Sequence, residues 1–461
     1  MAAAGALAAL WGDLGLPAEA LDHVALDKSD PILPSSFRIG TMAQVTIAAA
    51  ALAASEFHRR RTGVRQHLRV GMREAAIEFR SERYARIAGM PTPEMWDRIA
   101  GAYRCGDGGW VRLHTNFPHH RDGILRLLDC AYDRAAVATA LESWQGQDFE
   151  DAAAAAGLVV AKARSFAEWD AHPQGQAVRN LPLVSVERIG DAPIPPATSS
   201  GSRPLEGIRV LELTRVLAGP ICGRVFAAHG ADSLRIISPA LPTIEAADID
   251  TGRGKRSAYV DLSGDEGRRA FRDLLAGADI FVQSYRPGAL AARGFGPADA
   301  AQLRPSIIYV SLSAYGNAGP WAGRRGFDSL VQTATGLNIA EAEAAGETGL
   351  RPLPSQALDH AAGYLMALGA LVGLLRRAEQ GGSWHVQVSL ARTGLWLRSL
   401  GRVADGFSCP EMKFADIKDR LEAAPSDYGE LSAVEHAAEL SATPARWTHP
   451  STPFGTHPPR W

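Results

Sequence analysis

Residues 205–400 predict an α/β fold, a large domain on a parallel sheet, accompanied by a smaller α+β domain at residues 99–192. Three observations carry this reading. Short apolar runs alternate with helical stretches from Ile208 to Leu312. A segment rich in proline, serine and glycine, Pro193–Pro204, opposes regular structure and separates two units. The unit before that linker has a different pattern, with short strands and helices around a turn at Cys105–Gly109.

The elements of the large domain follow in order. Ile208–Leu213 (IRVLEL) reads as a buried strand and about Gly219–His229 as a helix. Ser233–Ser238 (SLRIIS) and Arg256–Leu262 (RSAYVDL) read as further strands. Ser263-Gly-Asp-Glu266 has the spacing of a capping box and opens the helix GRRAFRDLLAG. Asp279–Tyr285 and Ile307–Leu312 complete the series. Strands separated by helices argue for a doubly wound parallel sheet, whose ligands bind at the C-terminal strand ends.

In the first unit, residues 40–60 read as an Ala-rich helix, Trp110–His114 as a strand, and Arg121–Leu128 and Ala135–Trp144 as helices. Ala51–Arg80 resembles the stretch from Ala370, and matching His67 to His385 sets an offset of about 318 residues. The chain therefore divides into a helical segment and partial repeat at 1–98, a small domain at 99–192, a linker at 193–204, a large domain at 205–400 and a tail at 401–461.

Composition narrows the function classes. Of 461 residues, 46% are hydrophobic and 21% charged, an ordinary globular balance. The net charge of −2 and the lack of a long basic run give no nucleic-acid footprint. Four dispersed cysteines form no CxxC pair, which fits a reducing compartment. The first residues, MAAAGALAALWGDLGLPAEAL, lack a basic n-region and read as a helix. The apolar run Ala361–Leu375 is shorter than the ~20 residues a span requires. A cytoplasmic protein with no membrane or nucleic-acid partner is expected.

Several residues are candidates for chemistry. Asp359 precedes an apolar helix and is either its N-cap or a nucleophilic carboxylate, ionised near neutral pH by an ordinary pKa of ~4. Thr41 stands opposite it in the repeat. The helix after Asp359 is apolar all round, with Gly363, Gly369 and Gly373 for close packing. Lys255 and Arg256, beside Gly254, suit a polyphosphate or a solvated turn. Tyr285 and Arg286 close a strand and suit an adenine and a phosphate, or an ordinary turn. Leu217-Ala-Gly-Pro220 opens a helix, but no GxGxxG is present, which argues against a nicotinamide or flavin dinucleotide. His114, His119 and His120 lack the spacing of a metal set and read as a surface loop. Cys222 reads as a buried small residue.

Taken together, Pro204–Pro220 (PLEGIRVLELTRVLAGP), Gly230-Ala-Asp232, Gly254–Ser257, Tyr285–Gly288, Gly326-Phe-Asp328 and Leu358-Asp359 resemble, in that order, the class III CoA-transferase family of the carnitine/formyl-CoA type (CaiB/BaiF). Residues 204–400 resemble its large domain. Residues 100–190, with Asp107-Gly-Gly and Ser165–Gly175, resemble its small domain. The small-domain part comes first here, as in a rearranged or partly duplicated member. The resemblance implies a Rossmann-like large domain, an interlocked homodimer, and acyl-CoA and carboxylate substrates. It implies coenzyme A thioester as a substrate, with no permanently bound cofactor and no metal. It implies transfer through an aspartyl anhydride on Asp359, with Val216, Lys255, Arg256, Tyr285 and Arg325 binding CoA.

Departures from the family pattern are Ala292, where an arginine is common, Ser238-Pro239 after the second strand, and no clear glycine-rich covering loop. Phe327 stands where related racemases carry a histidine base. An α-methylacyl-CoA racemase or isomerase and a non-catalytic CoA-binding subunit are the alternatives.

Overall fold

A computed structural model describes residues 2–196 and 201–461, so part of the linker at Pro193–Pro204 lies outside the described residues. The first unit opens with α1 (Ala3–Asp13) and continues with a long helix, α2 (Ile39–Thr62). Helix α2 ends where Gly63 takes φ +79°, after three arginines that suit the negative end of its dipole. Strand β1 (Leu68–Val70) and helix α3 (Met72–Glu78) follow.

The small domain holds β2 (Gly101–Arg104), β3 (Trp110–Leu113), α4 (Pro118–Leu128), α5 (Arg134–Leu141) and β4 (Val160–Lys162). Its strands pair antiparallel in the order β2-β3-β4. The expected turn at Cys105–Gly109 joins β2 to β3, and Asp107 secures it by accepting from the amides of Gly109 and Gly146. Tyr103, Val111, Ile124, Leu141 and Phe149 form a core separate from that of the large domain.

Strand β5 (Ser185–Gly190) leaves the small domain and joins the large sheet. That sheet then takes in β6 (Arg209–Leu213), β7 (Asp232–Ile237), β8 (Lys255–Tyr259), β9 (Ile280–Gln283), β10 (Ile308–Ser313) and β11 (Ser383–Ser389). Its order is β8-β7-β6-β9-β10-β11-β5, parallel except for β5 at the edge. Strand order reverses at β6, between β7 and β9, which opens a crevice at the C-terminal ends of these strands. The strands are legible in sequence because burial on both faces leaves a nearly continuous apolar run.

Helix α6 (Ala218–Ala228) follows β6, and α7 (Asp265–Ala276) follows β8. The expected capping box at α7 does not form. Ser263 turns back and donates its amide and hydroxyl to Asp261, leaving Gly264 as the cap without a side-chain bond. Helices α8 (Asp328–Ala334), α9 (Ala357–Gln380) and α10 (Leu390–Ser399) complete the large domain.

Helix α9 is buried through nearly its whole length, and its glycines set how closely it packs. A Cβ at Gly363 would lie 2.7 Å from the Ala218 carbonyl oxygen, and one at Gly369 2.4 Å from Val386. Helices α2 and α9 are each 24 residues long and apolar enough to cross a bilayer, yet both are buried inside the fold.

The internal repeat is visible in the structure. Ile39 and Ala357 start the two long helices, Thr62 and Gln380 end them, and each pair is 318 residues apart. Met72 and Leu390, the first residues of α3 and α10, have the same spacing. The two long helices pack against each other. The tail returns to both units. Ala438–Leu440 pairs with β1, and the Trp461 indole donates to the Leu274 carbonyl of α7.

Candidate active site

The crevice at the C-terminal ends of the strands holds a cavity of about 590 Å³. Its walls come from the turn after β6 (Arg215–Ala218), the loops after β7 and β8, and the loop after β9 (Ser284–Arg293). Arg324–Phe327 and Asp359 line the same space, and the small domain adds Phe117, His119 and His120.

Asp359 is the third residue of α9, whose N-cap is Gln356, so it does not cap its own helix. That work falls to Asp328, the first residue of α8. Its carboxylate accepts from the Asp359 amide at 2.8 Å and from the Leu358 amide, and the Gln332 side-chain amide donates to it as well. Among the described residues nothing donates to the Asp359 carboxyl itself, which is 7% exposed and lines the cavity.

Behind α9, Glu82 of the first unit contacts His360 at 3.0 Å, and Glu78 accepts from the Tyr364 hydroxyl. Burial, then the Asp328 charge, then the Glu82 charge push the Asp359 carboxyl well above the usual carboxylate range. Asp328 is raised to about 6 by burial, against its hydrogen bonds, which favour the charged form. A donor set on one carboxyl and none on the other directs the shared proton to Asp359. The expectation of an ordinary, ionised Asp359 is therefore corrected. It holds its proton to higher pH.

Val216 occupies the turn from β6 to α6 with φ +71°, a conformation that costs a β-branched residue ~1–3 kcal/mol. This places the Val216 backbone and the first turn of α6 on the cavity. Tyr285 is half-buried on the opposite loop, with its amide donating to the Gln283 side chain. Arg325 lines the cavity and donates to the Gly157 carbonyl at 2.9 Å. The structure thus gathers four of the six expected residues: Asp359, Val216, Tyr285 and Arg325.

It does not gather Lys255 and Arg256. Both stand at the N-terminal end of β8, whereas the cavity opens at the C-terminal ends. Lys255 is buried beneath α6, with its ammonium 2.7 Å from Glu212 and 2.6 Å from the Pro220 carbonyl. Burial lowers its pKa to about 8 against the attraction of Glu212. Arg256 grips both Asp232 carboxylate oxygens at 2.8 Å and donates to the Arg460 carbonyl. These cations hold the fold together and do not face the cavity.

The cavity also holds Arg286, which the sequence offers for a phosphate, and further residues without a local sequence signal. Arg215, Arg286 and Arg293 line it alongside Arg325, and among the described residues none of the four has a carboxylate within ion-pair distance. Arg215 lies over the Phe117 ring at 4.5 Å. Phe327, in the racemase-histidine position, stacks on His114 with ring centroids 3.7 Å apart. His114 and His120 are buried, so the surface loop expected for this segment is corrected. Phe117 and Phe327 draw it into the domain interface. Groups of three or more metal-type ligands are absent among the described residues. Cys222 is buried as expected.

The family comparison agrees with the geometry. Residues 205–428 match CoA-transferase family III. It is 34% identical to acetyl-coenzyme A transferase nodX of Hypoxylon pulicicidum over 51% of this chain and 42% of that protein. It is 30% identical to the probable fatty acyl-CoA transferase Rv3272 of Mycobacterium tuberculosis over 44% of this chain and 54% of that one. It is 32% identical to the succinyl-CoA:glutarate CoA-transferase of Mus musculus over 42% and 47% respectively. The chain spans about half the length of these curated relatives. A crystal structure of the Mycobacterium tuberculosis Rv3272 protein aligns over 43% of this chain and 56% of its own, at 31% identity and a TM-score of 0.40.

Proposed function

We propose that the protein moves coenzyme A between an acyl-CoA thioester and a carboxylic acid, with Asp359 as the covalent acceptor. The observation that carries this is the position of Asp359, which among the described residues is a carboxyl free of hydrogen-bond donors, on a cavity whose walls hold four guanidiniums without carboxylate partners among those residues. Cations around the cavity suit the phosphates of CoA, and the apolar rings of Phe117 and Phe327 suit an acyl chain.

The steps balance as follows. An Asp359 oxygen attacks the thioester carbonyl, the carbon–sulfur bond breaks, and its electron pair leaves on the CoA thiolate. The product is a mixed anhydride. The thiolate then attacks the Asp359 carbonyl and releases the donor acid, leaving an aspartyl-CoA thioester. The acceptor carboxylate reverses this sequence and departs as the new acyl-CoA. Asp359 must be ionised for the first attack, so its raised pKa makes the first step depend on pH.

The test is mass spectrometry after incubation with a panel of acyl-CoAs and hydroxylamine or borohydride trapping, beside Asp359→Ala. An adduct on Asp359 that is lost in the variant supports the transferase route. Acyl-CoA binding without an adduct favours racemisation or a non-catalytic CoA-binding subunit. No binding overturns the thioester reading.

A further inference from the structure

We propose that His120 of the small domain donates a hydrogen bond to the thioester carbonyl as Asp359 attacks it. The inference rests on the transferase reading above and deepens it. His120 lies outside residues 205–428 and reaches the cavity from the first turn of α4.

Three observations support the role. His120 lines the same cavity as Asp359 while being 4% exposed. Both its ring nitrogens are buried with no hydrogen-bond partner among the described residues. Its neighbours are rings: His119 at 4.1 Å, Phe117 at 5.9 Å and Phe327 at 6.2 Å between centroids. A buried, unsatisfied donor costs ~1–3 kcal/mol and calls for a partner. An acyl carbonyl entering between Phe117 and Phe327 supplies one.

The chemistry favours a donor over a base. Burial, then His119, Arg325 and Arg215, lower the His120 pKa to about 3, so the ring is neutral at physiological pH. Asp359 is shifted the opposite way, so of the two groups the carboxyl is the one that holds a proton to higher pH. A neutral imidazole keeps one N–H, which stabilises negative charge on a carbonyl oxygen without a proton being transferred. In the attack the Asp359 oxygen–carbon bond forms, charge collects on the carbonyl oxygen beside the His120 N–H, and the electron pair returns as the carbon–sulfur bond breaks.

The experiment has two readouts. The first compares steady-state transfer by wild type, His120→Phe and His120→Gln, with melting temperatures as a folding check. His120→Phe keeps a ring against Phe327 and loses the donor. Its kcat is expected to fall by ~10²–10³-fold with KM little changed, and His120→Gln to recover part of the loss. A folded His120→Phe with wild-type kcat overturns the proposal. The second readout holds if that variant fails to fold. Acetyl-CoA labelled with ¹³C at the carbonyl is bound to Asp359→Asn, and its C=O stretch is compared with that of the free thioester. A shift to lower frequency that disappears in Asp359→Asn/His120→Leu supports the donor, and a shift that persists there overturns it. An unshifted stretch in the bound Asp359→Asn complex overturns it. Failure of wild type to bind acetyl-CoA or any longer acyl-CoA brings down the transferase reading itself, and the proposal with it.

Discussion

The backbone amide of Asp359 donates to the carboxylate of Asp328 at 2.8 Å, so the residue that caps the helix also holds its neighbour's carboxyl in the protonated form. The same arrangement recurs in the first copy. There Asp30 accepts from the amides of Gly40 and Thr41 at 2.9 Å, and from the Thr41 hydroxyl. Thr41 and Asp359 are equivalent positions on equivalent helices. In one copy the second position is a hydroxyl that bonds the capping aspartate, and in the other it is a carboxyl that repels it.

Removing the charge on Asp328 should therefore make Asp359 a stronger acid. Asp328→Asn keeps an oxygen to accept the α9 amides but abolishes the repulsion. On the proposed route the nucleophile is the ionised form, so the acid limb of kcat/KM should move to lower pH. A pH–rate profile checks this, and an acid limb that moves upward or stays in place would contradict the assignment.

Asp359 should cost stability at neutral pH. Its folded carboxyl keeps its proton above the ordinary unfolded value of ~4. Between those two values the folded state binds more protons, so stability falls as pH rises. Asp359→Asn escapes that loss and should melt a few degrees higher than wild type near pH 7, with the gap closing towards pH 4. Calorimetry across that range reads the trend, and transfer activity should be absent throughout.

Arg286 and Lys255 should part company. Arg286→Gln removes a cavity cation, and KM for acyl-CoA should rise by ~10-fold or more with little change in melting temperature. Lys255→Met strands Glu212 as a buried, uncompensated charge, which typically costs ~3–5 kcal/mol. It should lower the melting temperature sharply and leave KM of the surviving folded protein near wild type. Loss of CoA affinity without loss of stability would return Lys255 to the cavity.

Thr41→Asp should not create a second reactive centre. The new carboxyl would sit against Asp30 within a buried environment, with none of the cavity that serves Asp359. Combined with Asp359→Ala, it should yield no trapped adduct by mass spectrometry, and it should lower the melting temperature.

The large sheet is legible because each strand carries its own apolar run, and the candidacy of Asp359 rests on the ordered motifs of the family resemblance. Lys255 and Arg256 were misplaced by chemistry read without direction. The segment Gly252–Ser257 leads into β8, and a parallel sheet presents its ligand crevice at the far end of such a strand. The capping box failed because Asp261, two residues upstream, competes for the same serine. His114 and His120 were set aside because nothing near them signals that Phe327, more than 200 residues away, will pull them inward. Spacing reports a local face, while this wall of the cavity is a contact between units.

That wall has a consequence for how the protein behaves on dilution. His120 and Asp359 come from different units of one covalent chain, so their meeting does not depend on an encounter between molecules. Tethering fixes the local concentration of one beside the other whatever the amount of protein present. The pairing of His120 with Asp359 should then persist from micromolar to picomolar protein, where a pairing between two chains would fade as the chains part.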